Sequence, residues 1–192
     1  MEYVEKKFSI GELKGISKKQ IDEHLKLYAG YVKHANLINQ KVAELKTDAE
    51  KNSYAITEIT RRFGFEFNGM RNHEVYFGLL ENGGKQINAG GNLAKSIESE
   101  WGSFENWLSS FKATAMTRGV GWAMLYKDPV SGRLINAWID EQHLGQLQGC
   151  KLIVALDMWE HSYLLDYTPG DKKKYVDAFF ENLNWDVAEK NF

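Results

Sequence analysis

KLIVALDMWEH, residues 151–161, joins an apolar run to a short motif that carries a carboxylate and an imidazole. Residues 151–156 are rich in β-branched and aliphatic side chains, which predicts a buried strand. Asp157 follows at once, at the opening of a helix predicted from about Met158. A lone Asp in such a place is most often an N-cap, but the i, i+4 spacing can turn Asp157 and His161 toward one point. The segment therefore offers two candidate ligand positions.

The chain before this segment predicts the rest of a small sheet. Residues 122–126 and 133–139 have the composition of strands, and they flank the turn DPVSGR, residues 128–133. Together with residues 151–156 they predict a three-stranded antiparallel sheet. Helices are expected on either side of it: residues 92–101, a helix capped by Ser103 that ends near Gly119, and a last helix from about Lys173 to the end.

The N-terminal half predicts a long helical hairpin. Ser17 and Gln20 form a capping-box pattern at the start of a helix over residues 17–45. A second helix is expected over residues 54–81, after the polar stretch KTDAEKNS, and a short polar link favours an antiparallel pair. The glycine-rich segment ENGGKQINAGG, residues 81–91, marks a boundary. The predicted fold class is α+β: a hairpin domain, residues 1–84, followed by a domain of helices and sheet, residues 85–192.

Composition narrows the class of function. Of 192 residues, 43% are hydrophobic and 26% are charged, and the formal net charge is −2, so a basic nucleic-acid-binding or membrane-surface protein is not expected. The longest purely apolar run, residues 152–156, is too short to span a membrane. The single cysteine, Cys150, excludes an intrachain disulfide framework and suits the reducing cytoplasm, where we expect the protein to act.

Any metal site must draw on histidines, since one cysteine cannot supply thiolate ligation. His24 falls on the apolar stripe of the first helix, and His73 falls on that of the second. Taken singly, each is more often a structural histidine with a satisfied ring. Combined with Asp157 and His161, they would give three nitrogen ligands and one oxygen ligand, a set that suits iron or manganese and that zinc can also use.

Five motifs in order resemble the iron/manganese superoxide dismutase family. Asp157-x-Trp159-Glu160-His161 is similar to the signature of that family, and the resemblance extends over about residues 17–187. The other four motifs are Asn72-His73 followed by Val75-Tyr76-Phe77, WGSFENW at 101–107, GVGWAML at 119–125, and LNWD at 183–186.

The resemblance implies one manganese or iron ion per subunit and the conversion of superoxide to dioxygen and hydrogen peroxide. The implied ligands are His24, His73, Asp157 and His161. In the family the first ligand stands eight residues before a Tyr-Val pair, a place held here by Glu23. Helix geometry favours His24, because it shares the apolar face with Tyr31 and Glu23 is rotated from it by about 100°. Tyr31 is then the residue expected to gate the site.

Residues around the ion are implied in the same way. Gly69 stands where iron-type members often have Gln, which resembles the manganese type, in which a Gln from the strand region hydrogen-bonds solvent at the metal. Gln142 and His143 are the candidates for that role, and His143 is slightly preferred. Three further residues are expected near the ion or at a subunit interface: Trp122, Trp159 and Glu160.

Glu160 implies a homodimer, because in the family this Glu contacts the last His ligand of the partner subunit. A second cross-interface contact of the family, a His-Tyr bridge, is expected to be absent, since those positions hold Tyr28 and Leu164.

Two matters stay open at this point. Lys172, Lys173 and Lys174 occupy roughly the stretch where the family has a funnel Arg and are candidates for steering the anionic substrate, although a solvated helix start is the ordinary explanation. The alternative function is a metal-binding homologue with altered catalysis and a structural or storage role. A zinc hydrolase is less favoured, because no Glu stands beside a ligand pair as a general base.

Overall fold

The computed structural model describes residues 2–192 and begins with the predicted helical hairpin. Helix α1 spans Lys18–Leu45 and helix α2 spans Ser53–Gly78, joined by a short 3₁₀ turn at Lys46–Asp48. The helices are antiparallel: His24 packs on Phe77, and Tyr31, two turns later, packs on Phe65. Helix α2 ends at Gly78, three residues before the predicted end.

The start of α1 uses half of the predicted capping box. The Ser17 side chain accepts the Gln20 backbone N–H at 3.1 Å, but the Gln20 side chain does not return to Ser17. Its amide nitrogen donates to the His161 carbonyl oxygen at 2.6 Å, and its amide oxygen accepts the Leu165 N–H at 3.1 Å. Gln20 therefore ties the beginning of α1 to the DMWEH segment.

The C-terminal half contains the predicted helices and sheet. Helices α3, Asn92–Trp101, and α4, Phe104–Ala115, precede strands β1, Gly121–Lys127, β2, Leu134–Asp140, and β3, Lys151–Asp157. Helix α4 stops four residues before Gly119. The sheet is antiparallel in the order β2-β1-β3, and its register sets Trp122 opposite Asp157. The α+β prediction, with its hairpin and three-stranded sheet, is confirmed.

The backbone after β3 has less regular secondary structure than the sequence predicted. The helix expected from Met158 is only a 3₁₀ turn at Glu160–Ser162. Trp159 is extended, with φ −67° and ψ 148°, and the Ser162 hydroxyl donates to the carbonyl oxygens of Trp159, at 2.6 Å, and of Asp157, at 3.0 Å. These side-chain hydrogen bonds hold the backbone in a turn instead of a helix.

The predicted last helix is in fact two helices. Helix α5 spans Lys172–Asn182, and helix α6 spans Trp185–Asn191. Leu183 leaves the helical conformation, with ψ 125°, and the Asn184 side chain accepts the Asp186 N–H as a new N-cap.

One apolar core runs through both halves, and its largest fully buried side chains include Trp107, Trp122, Tyr76 and Tyr175. Within residues 2–192, no helix combines the length and the apolar character needed to cross a membrane.

Candidate metal centre

Four side chains from four places in the fold meet in the core. His24 comes from α1, His73 from α2, Asp157 from the end of β3, and His161 from the turn that follows. Their potential ligand atoms all lie within 4.8 Å of one another. The Nε2 atoms of His24, His73 and His161 lie 3.1, 3.4 and 3.1 Å from Asp157 Oδ2. The structure thus brings together the four residues that the sequence analysis singled out.

The carboxylate of Asp157 is held in place by its neighbours. Its Oδ1 accepts the Trp159 backbone N–H at 2.8 Å, so the N-cap-like role also exists, while Oδ2 faces the three imidazoles. The Tyr175 hydroxyl donates to the Asp157 carbonyl oxygen at 2.9 Å. The side chains of His24, His73 and Asp157 are fully buried, and His161 is 22% exposed. Access from solvent is therefore beside His161.

The hydrogen bonding of His73 supports a cation at the centre of this cluster. Its Nδ1 lies 2.6 Å from the Gly69 carbonyl oxygen, which can only accept, so Nδ1 carries the proton. Nε2 then presents a lone pair toward the Asp157 carboxylate and has no hydrogen-bond partner among the described residues. Two buried electron-rich atoms that face each other are costly unless a cation lies between them. The donor set therefore fits a metal ion.

Burial sets the charge states of the cluster. It lowers the pKa of His24, and burial together with the neighbouring His24 lowers the pKa of His73 to about 3. Burial also acts to raise the pKa of Asp157, but the charge of His161 and the hydrogen bonds from His161 and His24 outweigh it and hold that pKa below its usual range. At neutral pH the lowered pKa values leave His24 and His73 as neutral imidazoles and Asp157 as an ionised carboxylate, the forms that bind metal ions.

These shifts predict how the metal-free protein responds to acid. Unfolded histidine takes up a proton near pH 6.5, whereas folded His24 and His73 stay neutral, so the unfolded state binds more protons below that pH. For His73, whose folded pKa is about 3, the free energy of unfolding is expected to fall by up to about 1.4 kcal/mol per pH unit as the pH drops from 6.5 toward 3. The lowered pKa of His24 adds to this fall below pH 6.5. Urea unfolding of chelator-treated protein at a series of pH values measures this slope.

Two matched variants test whether the buried histidines cause the pH dependence of the free energy of unfolding. His73→Phe should reduce it, and His34→Gln, which changes an exposed imidazole of α1, should leave it as in the parent protein. An unchanged slope in His73→Phe would contradict the prediction.

A hydrogen-bonded chain borders the cluster. Gln142 is fully buried, its amide nitrogen donates to the Tyr31 hydroxyl at 3.0 Å, and its amide oxygen accepts the Trp122 indole N–H at 2.9 Å. The Tyr31 ring lies 5.0 Å from the His73 ring. A side chain at Gly69 would meet the Tyr31 ring within 2.5 Å, so the missing side chain makes room for Tyr31 itself.

The comparisons with known proteins agree with this geometry. A sequence model described as iron/manganese superoxide dismutases, C-terminal domain, matches residues 89–191. A curated iron superoxide dismutase of Aquifex pyrophilus is 36% identical over 185 residues, covering 94% of this chain and 85% of the relative.

The chain belongs to the iron/manganese superoxide dismutase family. An iron superoxide dismutase of Cupriavidus metallidurans is 39% identical over 185 residues, which cover 94% of this chain and 90% of that protein. A manganese superoxide dismutase of Haloarcula marismortui is 44% identical over 102 residues, covering 53% of this chain and 49% of that protein. The family resemblance stated from the motifs is confirmed.

Gln142 hydrogen-bonds to Tyr31, whereas His143, the residue slightly preferred from sequence, does not. The His143 ring packs against Phe65 at 5.8 Å, and its Nδ1 is buried without a partner in residues 2–192. The backbone of Gln142 is also hydrogen-bonded: the Asn72 side chain donates to the backbone carbonyl oxygen of Gln142 at 2.9 Å, and the Gln146 side chain donates to the side chain of Asn72 at 3.0 Å. The sequence analysis missed Gln146, since only its spacing of four from Gln142 hinted at a contact.

Of the other expected neighbours, Trp159 and Glu160 lie beside His161 at the opening, and Trp122 is buried in the core. Trp159 stacks on His161, with ring centroids 5.6 Å apart, and its indole N–H donates to the Glu141 carbonyl oxygen at 3.1 Å. Glu160 is exposed and forms no side-chain hydrogen bond or ion pair with the described residues. Trp122 packs edge-on against His73 at 5.1 Å.

Tyr28 and Leu164, the positions at which a His-Tyr bridge was expected to be absent, lie in different surroundings. Tyr28 is fully buried, accepts the Lys6 backbone N–H at 2.9 Å and donates to Glu74 at 3.3 Å. Leu164 is 44% exposed. Tyr28 therefore anchors the N-terminal segment to the hairpin.

The candidate steering lysines mostly have other partners. The Lys172 ammonium donates to the Thr117 carbonyl oxygen at 3.3 Å and is half-buried, and Lys174 pairs with Asp171 at 2.7 Å. Lys173 is exposed. Steering by these lysines stays a prediction.

Proposed function

We propose that this chain is a superoxide dismutase that holds one iron or manganese ion on His24, His73, Asp157 and His161. The observation that carries the proposal is the convergence of three Nε2 atoms on one carboxylate oxygen, in a chain of a family whose relatives are named as iron or manganese superoxide dismutases. Imidazole and carboxylate donors suit both metals.

When bound, such an ion supplies the one-electron chemistry by which two superoxide anions and two protons become dioxygen and hydrogen peroxide. The protein contributes a ligand charge of only −1, because the three imidazoles bind as neutral groups. A divalent or trivalent ion in this cage therefore keeps a net positive charge, which attracts an anionic substrate. The hydrogen bond from His73 to Gly69 and the contact of Trp159 with Asp157 fix the ligand orientations.

Tyr31 and Gln142 hold a proton beside the substrate position. Because the Gln142 amide donates to the Tyr31 oxygen, the phenol's own hydrogen is free to point elsewhere. Burial and, next, the charge of Asp157 raise the pKa of Tyr31, so the phenol stays protonated and able to donate. The rings of Tyr31, Trp122 and Trp159 exclude bulk water from this space.

Metal analysis paired with a superoxide-removal assay tests the function. Protein reconstituted separately with iron, manganese and zinc should hold close to one ion per chain, and removal should be fast with iron or manganese and absent with redox-inert zinc. Full metal occupancy without turnover in either redox-active form would contradict the proposal and indicate the structural or storage homologue.

We further propose a division into a hairpin domain, residues 1–84, and an α+β domain, residues 85–192. The glycine-rich segment, residues 81–91, begins three residues after the end of α2, and the family's C-terminal domain model starts at residue 89, which supports this boundary.

We also propose a homodimer with Glu160 at its interface, in the cytoplasm. Glu160, Leu164 and Leu165 are exposed next to His161, and the free thiol of Cys150 suits a reducing compartment. Sedimentation equilibrium of the protein and of Glu160→Ala tests the dimer: a monomeric parent protein would contradict it.

A further inference from the structure

Arg62 lies on α2, about three turns before the ligand His73. Its guanidinium carbon stands 3.6 Å from the centroid of the Phe65 ring, and its Nε donates to Glu66 Oε1 at 3.0 Å. An i, i+4 ion pair on a helix is ordinary by itself. The stacking on Phe65 fixes the guanidinium in one place, since cation–π contact and the ion pair act together.

The two members of the Arg62–Glu66 ion pair differ in their exposure to solvent. The Arg62 side chain is 52% exposed, whereas that of Glu66 is 10% exposed. The Nε–H is the one guanidinium group with a hydrogen-bond partner in residues 2–192, which leaves both Nη groups available to a solute. The pair therefore presents its positive end to an approaching solute and keeps its negative end beneath the surface.

Phe65 connects this cation to the opening of the metal centre. Its ring contacts Tyr31 at 6.0 Å, His143 at 5.8 Å and Trp159 at 6.4 Å. Trp159 in turn stacks on His161, the one ligand with exposed surface.

We propose that Arg62 steers the anionic substrate into the metal centre, in place of Lys172, Lys173 and Lys174. The inference rests on the proposed dismutase function and identifies Arg62 as the cation that attracts superoxide to the metal centre. A fixed charge beside an aromatic-walled opening raises the local concentration of anions, and salt screens this effect.

The rate test compares charge variants as the ionic strength is raised. With metal-loaded protein, Arg62→Gln should lower kcat/KM for superoxide about two- to five-fold at low salt and should make kcat/KM less dependent on salt. Arg62→Lys, which keeps the positive charge, should retain most of the parent's kcat/KM and most of its salt dependence. Glu66→Gln, which leaves the cation unbalanced, should change kcat/KM in the opposite direction. The triple variant Lys172→Gln, Lys173→Gln, Lys174→Gln should resemble the parent.

Azide binding gives a readout that does not depend on turnover. Spectral titration of metal-loaded Arg62→Gln should show azide affinity weakened by a similar factor, with unchanged metal content. Parent-like azide affinity and parent-like salt dependence in Arg62→Gln would overturn the inference. A parent protein that binds azide through Arg62 but removes no superoxide would instead refute the dismutase function while supporting Arg62 as the anion-attracting residue.

Discussion

His24→Ala is expected to leave the purified protein without bound iron or manganese and without superoxide removal, while Glu23→Ala keeps both. Loss of an outer partner of a metal ligand already weakens affinity about 10–100-fold, so loss of a direct ligand should exceed about 100-fold. The measurement is metal content after dialysis against a weak chelator, paired with the activity assay.

Glu23 is the appropriate control because it is the adjacent residue on the same helix. Its carboxylate pairs with Lys26 at 2.7 Å and is half-exposed, whereas the His24 imidazole is fully buried among His73, Tyr76 and Phe77. Thermal unfolding of both metal-free variants would show whether each still folds. A site emptied by Glu23→Ala and filled in His24→Ala would disprove the ligand assignment.

The choice of His24 shows what the sequence could predict and why. Apolar stripes fix which side of a helix is buried, and a rotation of about 100° between neighbours separates His24 from Glu23 without any tertiary knowledge. The same periodicity located α1 and α2, and the antiparallel hairpin then brought His24 opposite His73. The strand before Asp157 was evident because β3 is apolar throughout its buried part.

Features set by tertiary hydrogen bonds could not be predicted in this way. The turn after β3 depends on Ser162 and on Gln20, which bonds to it from 141 residues away in sequence. Arg62 resembled any exposed helix charge until its stacking on Phe65 was known. The spacing of apolar and polar residues along the chain carries no information on such long-range contacts. The predictions were therefore wrong or incomplete in the segments outside regular helices and strands.

The pair Gln142 and His143 is the sharpest case, because adjacent loop residues point in different directions. Glu141 has a left-handed backbone, with φ 50°, and the bonds from Asn72 and Gln146 hold the loop so that the Gln142 side chain enters the core. Side-chain direction here follows from those distant partners and not from periodicity.

Gln142→Ala is therefore expected to lower kcat about 10–100-fold with the metal retained, the usual range for outer partners of a metal site. The variant removes the donor to Tyr31 and the acceptor for Trp122 together, which frees the phenol to rotate and leaves a buried indole N–H unpaired. Steady-state turnover, metal content and the pH dependence of kcat measure the effect, and the pH profile should change because the proton donor has lost its fixed position.

His143→Ala is the matched control, one residue further along the same loop. Its ring packs on Phe65 and shares no hydrogen bond with the Tyr31–Gln142–Trp122 chain. Its loss should therefore change kcat by less than about three-fold, which corresponds to a change in activation free energy of about 0.6 kcal/mol. A large loss in His143→Ala together with a parent-like Gln142→Ala would reverse the assignment and return the solvent-bonding role to the histidine. Both variants remove a side chain from the same loop, so each loses packing there. The difference between their kcat values therefore measures the effect of the lost hydrogen bonds more directly than the kcat of either variant alone.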